Sequence, residues 1–156
     1  MTDETFMRRA LELARAAAAE GEVPVGAVVT LENEIVGEGR NRREGGKNAL
    51  YHAEVEAIHQ ACARLGGWRL WQCCIYVTLE PCPMCAGAVI NARIPRLVYG
   101  AKDPKAGCCG SVTDLFALPF NHRPQVIGGC LEEECAAPLR EFFAGLRENR
   151  NKFPEN

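Results

Sequence analysis

The sequence lacks any long hydrophobic run. No stretch of about 18 consecutive apolar residues occurs in it, and residues 1–9 carry charges without the apolar core of a signal peptide. We therefore expect neither insertion into a membrane nor secretion, and we predict that the protein acts in the cytoplasm. Internal repeats and low-complexity linkers are also missing, so the 156 residues are predicted to form one compact domain.

The sequence also lacks an excess of positive charge. Its 18 Lys and Arg residues stand against 20 Asp and Glu residues, which gives a formal net charge of -2. A protein with this net charge has no overall positive electrostatic field that would by itself attract nucleic acid. Any contact with RNA therefore depends on local clusters of positive side chains. An ordinary solvated surface is the alternative interpretation of each local cluster of cations. The candidate clusters are Arg40, Arg42, Arg43 and Lys47; Arg93, Arg96, Lys102 and Lys105; and Arg140, Arg147, Arg150 and Lys152.

Nine cysteines are present, but they do not indicate a disulfide framework. Their number is odd, the chain is not small, and no export signal precedes them. We therefore expect reduced thiols or metal ligands. Five of the cysteines are predicted to be small buried hydrophobic residues, namely Cys62, Cys73, Cys74, Cys130 and Cys135.

Hydrophobic periodicity predicts helices that alternate with strands. The predicted elements are a helix from Thr2 to Gly21, strands over 23–31 and 35–40, helices over 51–65 and 81–91, strands over 73–79, 96–100 and 125–128, and a terminal helix with Leu139, Phe142, Phe143 and Leu146 on one face. Pro81 is predicted to be the first residue of the third helix, and Pro138 to kink the terminal helix or begin a shorter one. This order predicts an α/β fold of three layers, in which helices cover both faces of a mixed or mostly parallel five-stranded central sheet.

Two short segments carry residues suited to chemistry, His52-Ala53-Glu54 and Pro81-Cys82-Pro83-Met84-Cys85. Two cysteines at this spacing after a strand fit a zinc site, a thioredoxin-like redox pair or chance. Helical residues two apart point about 200° apart, so His52 and Glu54 converge on one site only in an irregular first turn. The polar loop before them places them in such a turn. The positive end of the next helix favours the thiolates of Cys82 and Cys85.

Together the two segments predict a catalytic zinc site. Two sulfurs and one imidazole give three zinc ligands, which leave one tetrahedral position open to water. Zinc lowers the pKa of such a water to about 7, which makes a hydroxide nucleophile available at neutral pH. His-x-Glu followed by Pro-Cys-x-x-Cys is the signature of zinc-dependent nucleobase deaminases. In such a reaction Glu54 can move protons from the water to the base and to the departing ammonia. A redox pair would leave His52 and Glu54 without a role.

Over residues 6–147 the sequence resembles the bacterial tRNA-specific adenosine deaminases. The similar segments are 23–28, 37–42, 52–54, 76–88, 98–107, 121–123 and 140–143, and their order and spacing agree with that family. Arg40, Tyr51 and the pair Cys108-Cys109 depart from its pattern.

The resemblance implies both a fold and a set of functional residues. The fold is the cytidine-deaminase-like fold, and the activity is hydrolysis of the wobble adenosine of a tRNA anticodon to inosine by a homodimer with one Zn²⁺ per subunit. By motif, the zinc ligands are His52, Cys82 and Cys85, the proton shuttle is Glu54, and the substrate-binding residues are Asn41, Asp103 and Phe143.

Two other functions stay open at this point. The same zinc and carboxylate would serve a deaminase of a free base or nucleoside, such as guanine or cytosine, with a small closed pocket. Alternatively, the zinc would be purely structural, with a thiol such as Cys108 or Cys109 as its fourth ligand. Helix packing is the alternative role for Phe143.

Overall fold

The structure is a computed structural model that describes residues 1–152, with only the backbone of the last of them. The cationic side chain predicted at Lys152 therefore lies outside the described part of the chain. In chain order the elements are α1 (Asp3–Ala19), β1 (Gly26–Leu31), β2 (Glu34–Arg40), α2 (Ala53–Leu65), β3 (Cys73–Leu79), α3 (Pro83–Asn91), β4 (Arg96–Ala101), a short 3-10 helix (Leu115–Ala117), β5 (Gln125–Ile127) and α4 (Glu132–Lys152).

The central sheet is mixed, with the strand order β2-β1-β3-β4-β5. β1 runs antiparallel to both β2 and β3, whereas β3, β4 and β5 are parallel to one another. The five strands and the helices on both faces confirm the predicted three-layer α/β fold. Two of the four strand pairings are parallel and two are antiparallel, because β1 of the β1–β2 hairpin pairs with β3 in the antiparallel direction.

Helices bury both faces of this sheet. On β1, Ala27 and Val29 belong to the core beneath α2 and α3, whereas Val28 belongs to the core beneath α1 and α4. This alternation follows from the pleat of a strand, in which successive side chains point to opposite faces. The register is therefore fixed, since a slip of one residue would exchange the two cores.

Glycines on β2 allow α2 to pack closely against the sheet. A methyl group added at Gly39 would lie 2.2 Å from the carbonyl oxygen of Ala53, at the first residue of α2. The facing helix residues Ala53, Ala57 and Ala61 are completely buried. Small side chains on both elements thus determine where α2 begins relative to the sheet.

One predicted helix start was wrong, and one of the two alternatives predicted for Pro138 is excluded. α3 begins at Pro83 and not at Pro81, and Cys82 precedes it in an extended conformation with φ -74° and ψ 175°. Pro83 suits the first helical position because that position needs no N–H and the ring fixes φ. Pro138 lies inside α4, which begins at Glu132, so it does not begin a shorter helix.

No helix in the described residues is long and apolar enough to cross a membrane.

Candidate active site

The starts of α2 and α3 bring three potential metal ligands together. His52 Nδ1 lies 3.5 Å from Cys82 Sγ and 3.5 Å from Cys85 Sγ, and the three ligand atoms all lie within 4.8 Å of one another. Zinc bonds of about 2.1 Å to nitrogen and 2.3 Å to sulfur, at tetrahedral angles, require an N···S separation of about 3.6 Å. The three side chains therefore fit one ion of the size of zinc.

Hydrogen bonds within this group favour one thiolate. A hydrogen bond from Cys85 holds the pKa of Cys82 well below its ordinary value, and the same contact raises the pKa of Cys85. A hydrogen bond with Cys82 raises the pKa of His52. Because metal ligands must be deprotonated, an ion bound here would displace the proton that the two sulfurs share.

Glu54 lies beside this group but does not belong to it. Its side chain is buried, near the Cys85 sulfur, and burial raises the pKa of its carboxyl group. Within the described residues, neither Cys108 nor Cys109 joins the three ligands. The arrangement thus differs from a structural site with four protein ligands, and it leaves one tetrahedral position without a protein ligand.

A cleft of about 750 Å³ opens above the ligand group. Every residue predicted for the site lines it except Cys85, which is completely buried behind the floor. Asn41 is held by two hydrogen bonds, one from Nδ2 to the Val23 carbonyl oxygen at 3.2 Å and one from the Arg43 N–H to Oδ1 at 3.2 Å. The structure therefore brings the seven predicted residues together at one place.

Asp103 has a local structural role besides its place in the cleft. Its Oδ1 accepts hydrogen bonds from the backbone N–H groups of Lys105 at 3.0 Å and Ala106 at 3.2 Å. This is a turn in which an aspartate oxygen replaces a backbone acceptor. One oxygen of the carboxylate is therefore committed to the shape of the loop.

α4 forms one side of the cleft. Residues spaced three or four apart share a helical face, and this face of α4 lines the cleft. Phe143 on this face is 42% exposed, so it is not a core residue, although its ring makes an edge contact with Phe142 at 5.5 Å. The lining residues of α4 are Leu139, Phe143, Leu146, Arg147 and Arg150.

Each of the three cationic segments contains residues that line the cleft and residues that form ion pairs elsewhere. The lining cations are Arg43, Lys102, Lys105, Arg147 and Arg150. The ion pairs are Arg40–Glu20, Arg42–Glu56, Arg96–Asp3 and Arg140–Glu133. The cleft therefore has a basic rim, although the chain as a whole is slightly acidic.

Two buried carboxylates beside the cleft were not predicted from the sequence. Glu22 accepts hydrogen bonds from the backbone N–H groups of Glu44 at 2.9 Å and Gly45 at 2.7 Å, in the loop that follows Asn41. Glu80 is only 2% exposed and lines the cleft. Its position in the sequence could have indicated this role. A charged residue directly after the apolar strand β3 lies at a buried strand end, where its carboxylate needs hydrogen-bond partners.

Comparisons with known proteins agree with this geometry. Residues 1–147 match the family model described as MafB19-like deaminase. A tRNA-specific adenosine deaminase of Bacillus subtilis is 45% identical over 155 residues, which cover 99% of this chain and 96% of the relative. A solved structure from studies of A-to-I editing by tRNA:A34 deaminases at the wobble position of transfer RNA has a TM-score of 0.84 and 44% identity, covering 86% of this chain and 99% of that one. A guanine deaminase from Nitrosomonas europaea is less similar, with a TM-score of 0.71 and 31% identity over 90% of this chain and 84% of the other. The chain therefore belongs to the family of the tRNA-specific adenosine deaminases, as the sequence resemblance predicted.

Proposed function

We propose that this protein is a zinc-dependent enzyme that converts the wobble adenosine of a tRNA anticodon to inosine. One observation carries the proposal: a buried carboxylate and a three-ligand metal group lie at the floor of a cleft whose rim is basic and includes an exposed aromatic ring. The reaction consumes water, replaces the C6–N bond of adenine by a C6–O bond, and releases ammonia. Membership of the family supports this choice of base and of RNA.

The ligand group and Glu54 divide the chemical work between them. His52, Cys82 and Cys85 would hold one Zn²⁺ per subunit, which supplies the Lewis acidity that makes water nucleophilic at neutral pH. Burial raises the pKa of Glu54 toward neutrality, so its carboxyl group can both accept and release a proton there. Glu54 takes a proton from the attacking water and gives it to a ring nitrogen. It then takes the remaining proton from the hydroxyl group added at C6 and delivers it to the amino group, which leaves as ammonia.

The walls of the cleft suit a nucleotide that has left its stack. Among the described residues, the Asn41 amide donates one N–H to the Val23 carbonyl oxygen, and its second N–H can serve the nucleoside. Phe143 offers an aromatic face to a neighbouring base, and the lining cations suit phosphates. An anticodon loop presents bases that are already partly unstacked, so drawing one into the cleft costs less than extracting one from a duplex.

The assembly and the cellular location are part of the same proposal. By resemblance to the family, we infer a homodimer in the cytoplasm in which residues 1–156 form one deaminase domain. Tyr51, Val112 and Phe120 are exposed apolar side chains of the kind that subunit interfaces cover.

The proposed function is tested by inosine formation in an anticodon stem-loop with adenosine at the wobble position. Wild-type protein loaded with zinc should form inosine. Glu54→Gln should keep its zinc and lose at least about 100-fold in turnover, the lower range of general acid–base catalysis. Cys85→Ala should lose zinc as well, because two protein ligands remain.

Glu34→Gln is the matched control, since this glutamate is exposed and pairs with Arg64, which is exposed as well. It should retain both zinc and turnover. If Glu54→Gln kept more than about a tenth of the wild-type rate, the assignment of the proton shuttle would be wrong. Stoichiometric zinc in chelator-washed Cys85→Ala would contradict the ligand set.

A further inference from the structure

Glu80 is the centre of a hydrogen-bond cluster next to the cleft. Its Oε1 accepts hydrogen bonds from the Asp103 N–H at 3.1 Å and from the hydroxyl group of Ser111. Its Oε2 accepts from the N–H groups of Cys109 at 2.9 Å and Ser111 at 3.1 Å. One buried carboxylate thus has four donors, and all of them come from residues 102–111, which we name the wall loop.

The wall loop is folded closely around this carboxylate. A methyl group added at Gly107 would lie 2.3 Å from Glu80 Cδ, so only glycine fits there without displacement. The Cys108 N–H also donates to the Pro81 carbonyl oxygen at 2.8 Å. The loop is therefore attached to residues 80–81, immediately before the metal ligand Cys82.

The cleft-facing part of the wall loop is otherwise held by turns of its own. Lys102, Asp103 and Lys105 line the cleft, and this stretch is shaped from within by the turn at the Asp103 side chain and by the hydrogen bond from the Gly107 N–H to the Asp103 carbonyl oxygen at 2.9 Å. Without the Glu80 carboxylate, the N–H groups of Asp103, Cys109 and Ser111 would lose their acceptors. Buried backbone donors rarely stay unpaired, so the loop would rearrange.

We propose that Glu80 is a positioning residue that fixes the wall loop as the RNA-facing side of the cleft. It belongs to neither the metal group nor the proton path, since its oxygens are occupied by the loop. Its effect is therefore on the affinity for the RNA and not on the chemical step. This inference rests on the proposed function for the identity of the ligand.

Glu80→Gln tests the inference with little change of shape. Glutamine keeps one acceptor oxygen and replaces the other with an amide donor, so the bonds from Cys109 and Ser111 cannot all persist. The measurements are hydrogen exchange of the loop amides, the Kd of an anticodon stem-loop from fluorescence anisotropy, kcat and KM for inosine formation, and zinc content. Glu34→Gln serves again as the control.

We expect faster exchange at the wall-loop amides in Glu80→Gln and unchanged exchange there in the control. Kd and KM should both rise by at least about tenfold, which corresponds to the loss of one hydrogen bond to a charged group. The value of kcat should stay within about threefold, and zinc should remain stoichiometric. Gly107→Ala perturbs the same contact from the side of the loop and should give the same pattern, which guards against a folding defect of one variant.

Three results would overturn the inference. The first is unchanged hydrogen exchange of the wall-loop amides in both variants. The second is faster exchange of these amides with unchanged Kd and KM. The third is a decrease in activity that is confined to kcat or is accompanied by loss of zinc. If instead the wild-type protein neither binds nor deaminates the stem-loop, the proposed function itself fails, which the wild-type measurement shows before any variant is compared.

Discussion

Substitution of Gly39 by alanine tests the close packing that places the start of α2. The added methyl group would lie 2.2 Å from the Ala53 carbonyl oxygen and 2.8 Å from the Ala57 nitrogen, whereas ordinary contacts begin at 3.4 Å. Both neighbours are backbone atoms, so the strand and the helix have to separate by about 1 Å. His52 and Glu54 flank Ala53, so the displacement reaches the site directly.

The cost can be stated for both stability and activity. Overpacking of this kind typically destabilises a protein by about 1 to 3 kcal/mol. For a chain of this length, each kcal/mol lowers Tm by about 2 to 4 °C, so a decrease of about 2 to 12 °C is expected. A misplacement of about 1 Å at a catalytic group can cost about 100-fold in rate, so kcat should fall more than the loss of stability suggests.

Thermal unfolding at a fixed zinc concentration and inosine formation on the stem-loop measure these two effects. Gly145→Ala in α4 is the matched stability control, because in the described part of the chain a methyl group there would meet nothing within 4 Å beyond the nearby backbone of its own helix. Alanine should raise the stability of that helix by up to about 1 kcal/mol. If Gly39→Ala were as stable and as active as the wild type, the argument from close packing would be refuted.

Two other predictions concern electrostatics. Arg147→Ala and Arg150→Ala should each reduce the slope of log Kd for the stem-loop against log salt by about 0.7 to 0.9, the value for one phosphate contact. The guanidinium of Arg140 pairs with an exposed glutamate away from the cleft, so Arg140→Ala should leave the slope unchanged. Equal changes of the slope in all three variants would refute the assignment of the basic rim. A hydrogen bond from Arg96 holds the pKa of Asp3 below its ordinary value. The stability from this pair is therefore present at neutral pH and is lost as pH falls below about 4. Urea unfolding should show that the difference in the free energy of unfolding between the wild type and Asp3→Asn becomes smaller in that range. A constant difference from pH 7 to pH 3 would contradict this prediction.

Local signals in the sequence predicted much of the fold. β3 occupies Cys73–Leu79 as predicted, because a continuous apolar run between polar turns is typical of a buried strand. The direction of β1 beside β3 could not be read in this way, since it depends on which strand edge the hairpin joins. The start of α3 was misplaced because two prolines two residues apart both suit a first helical turn.

The sequence likewise predicted some residues of the site and not others. The spacing of the two motifs suggested that His52, Cys82 and Cys85 belong together, because each motif lies at a helix start where its side chains converge. Glu22 and Glu80 gave no comparable signal, since their partners, most of them backbone N–H groups, lie at least 22 residues away along the chain. Such contacts depend on the path of a loop in three dimensions, which composition and periodicity do not encode.

The most direct test of the central claim is the ratio of kcat/KM for an anticodon stem-loop to that for free adenosine, guanine and cytosine. Stacking of two neighbouring bases at about 1 to 3 kcal/mol each predicts that the stem-loop is favoured over free adenosine by about 30-fold to more than 10⁴-fold. The account predicts inosine in the stem-loop at the highest efficiency of the four substrates. Equal efficiency on free adenosine, or faster turnover of guanine or cytosine, would contradict it.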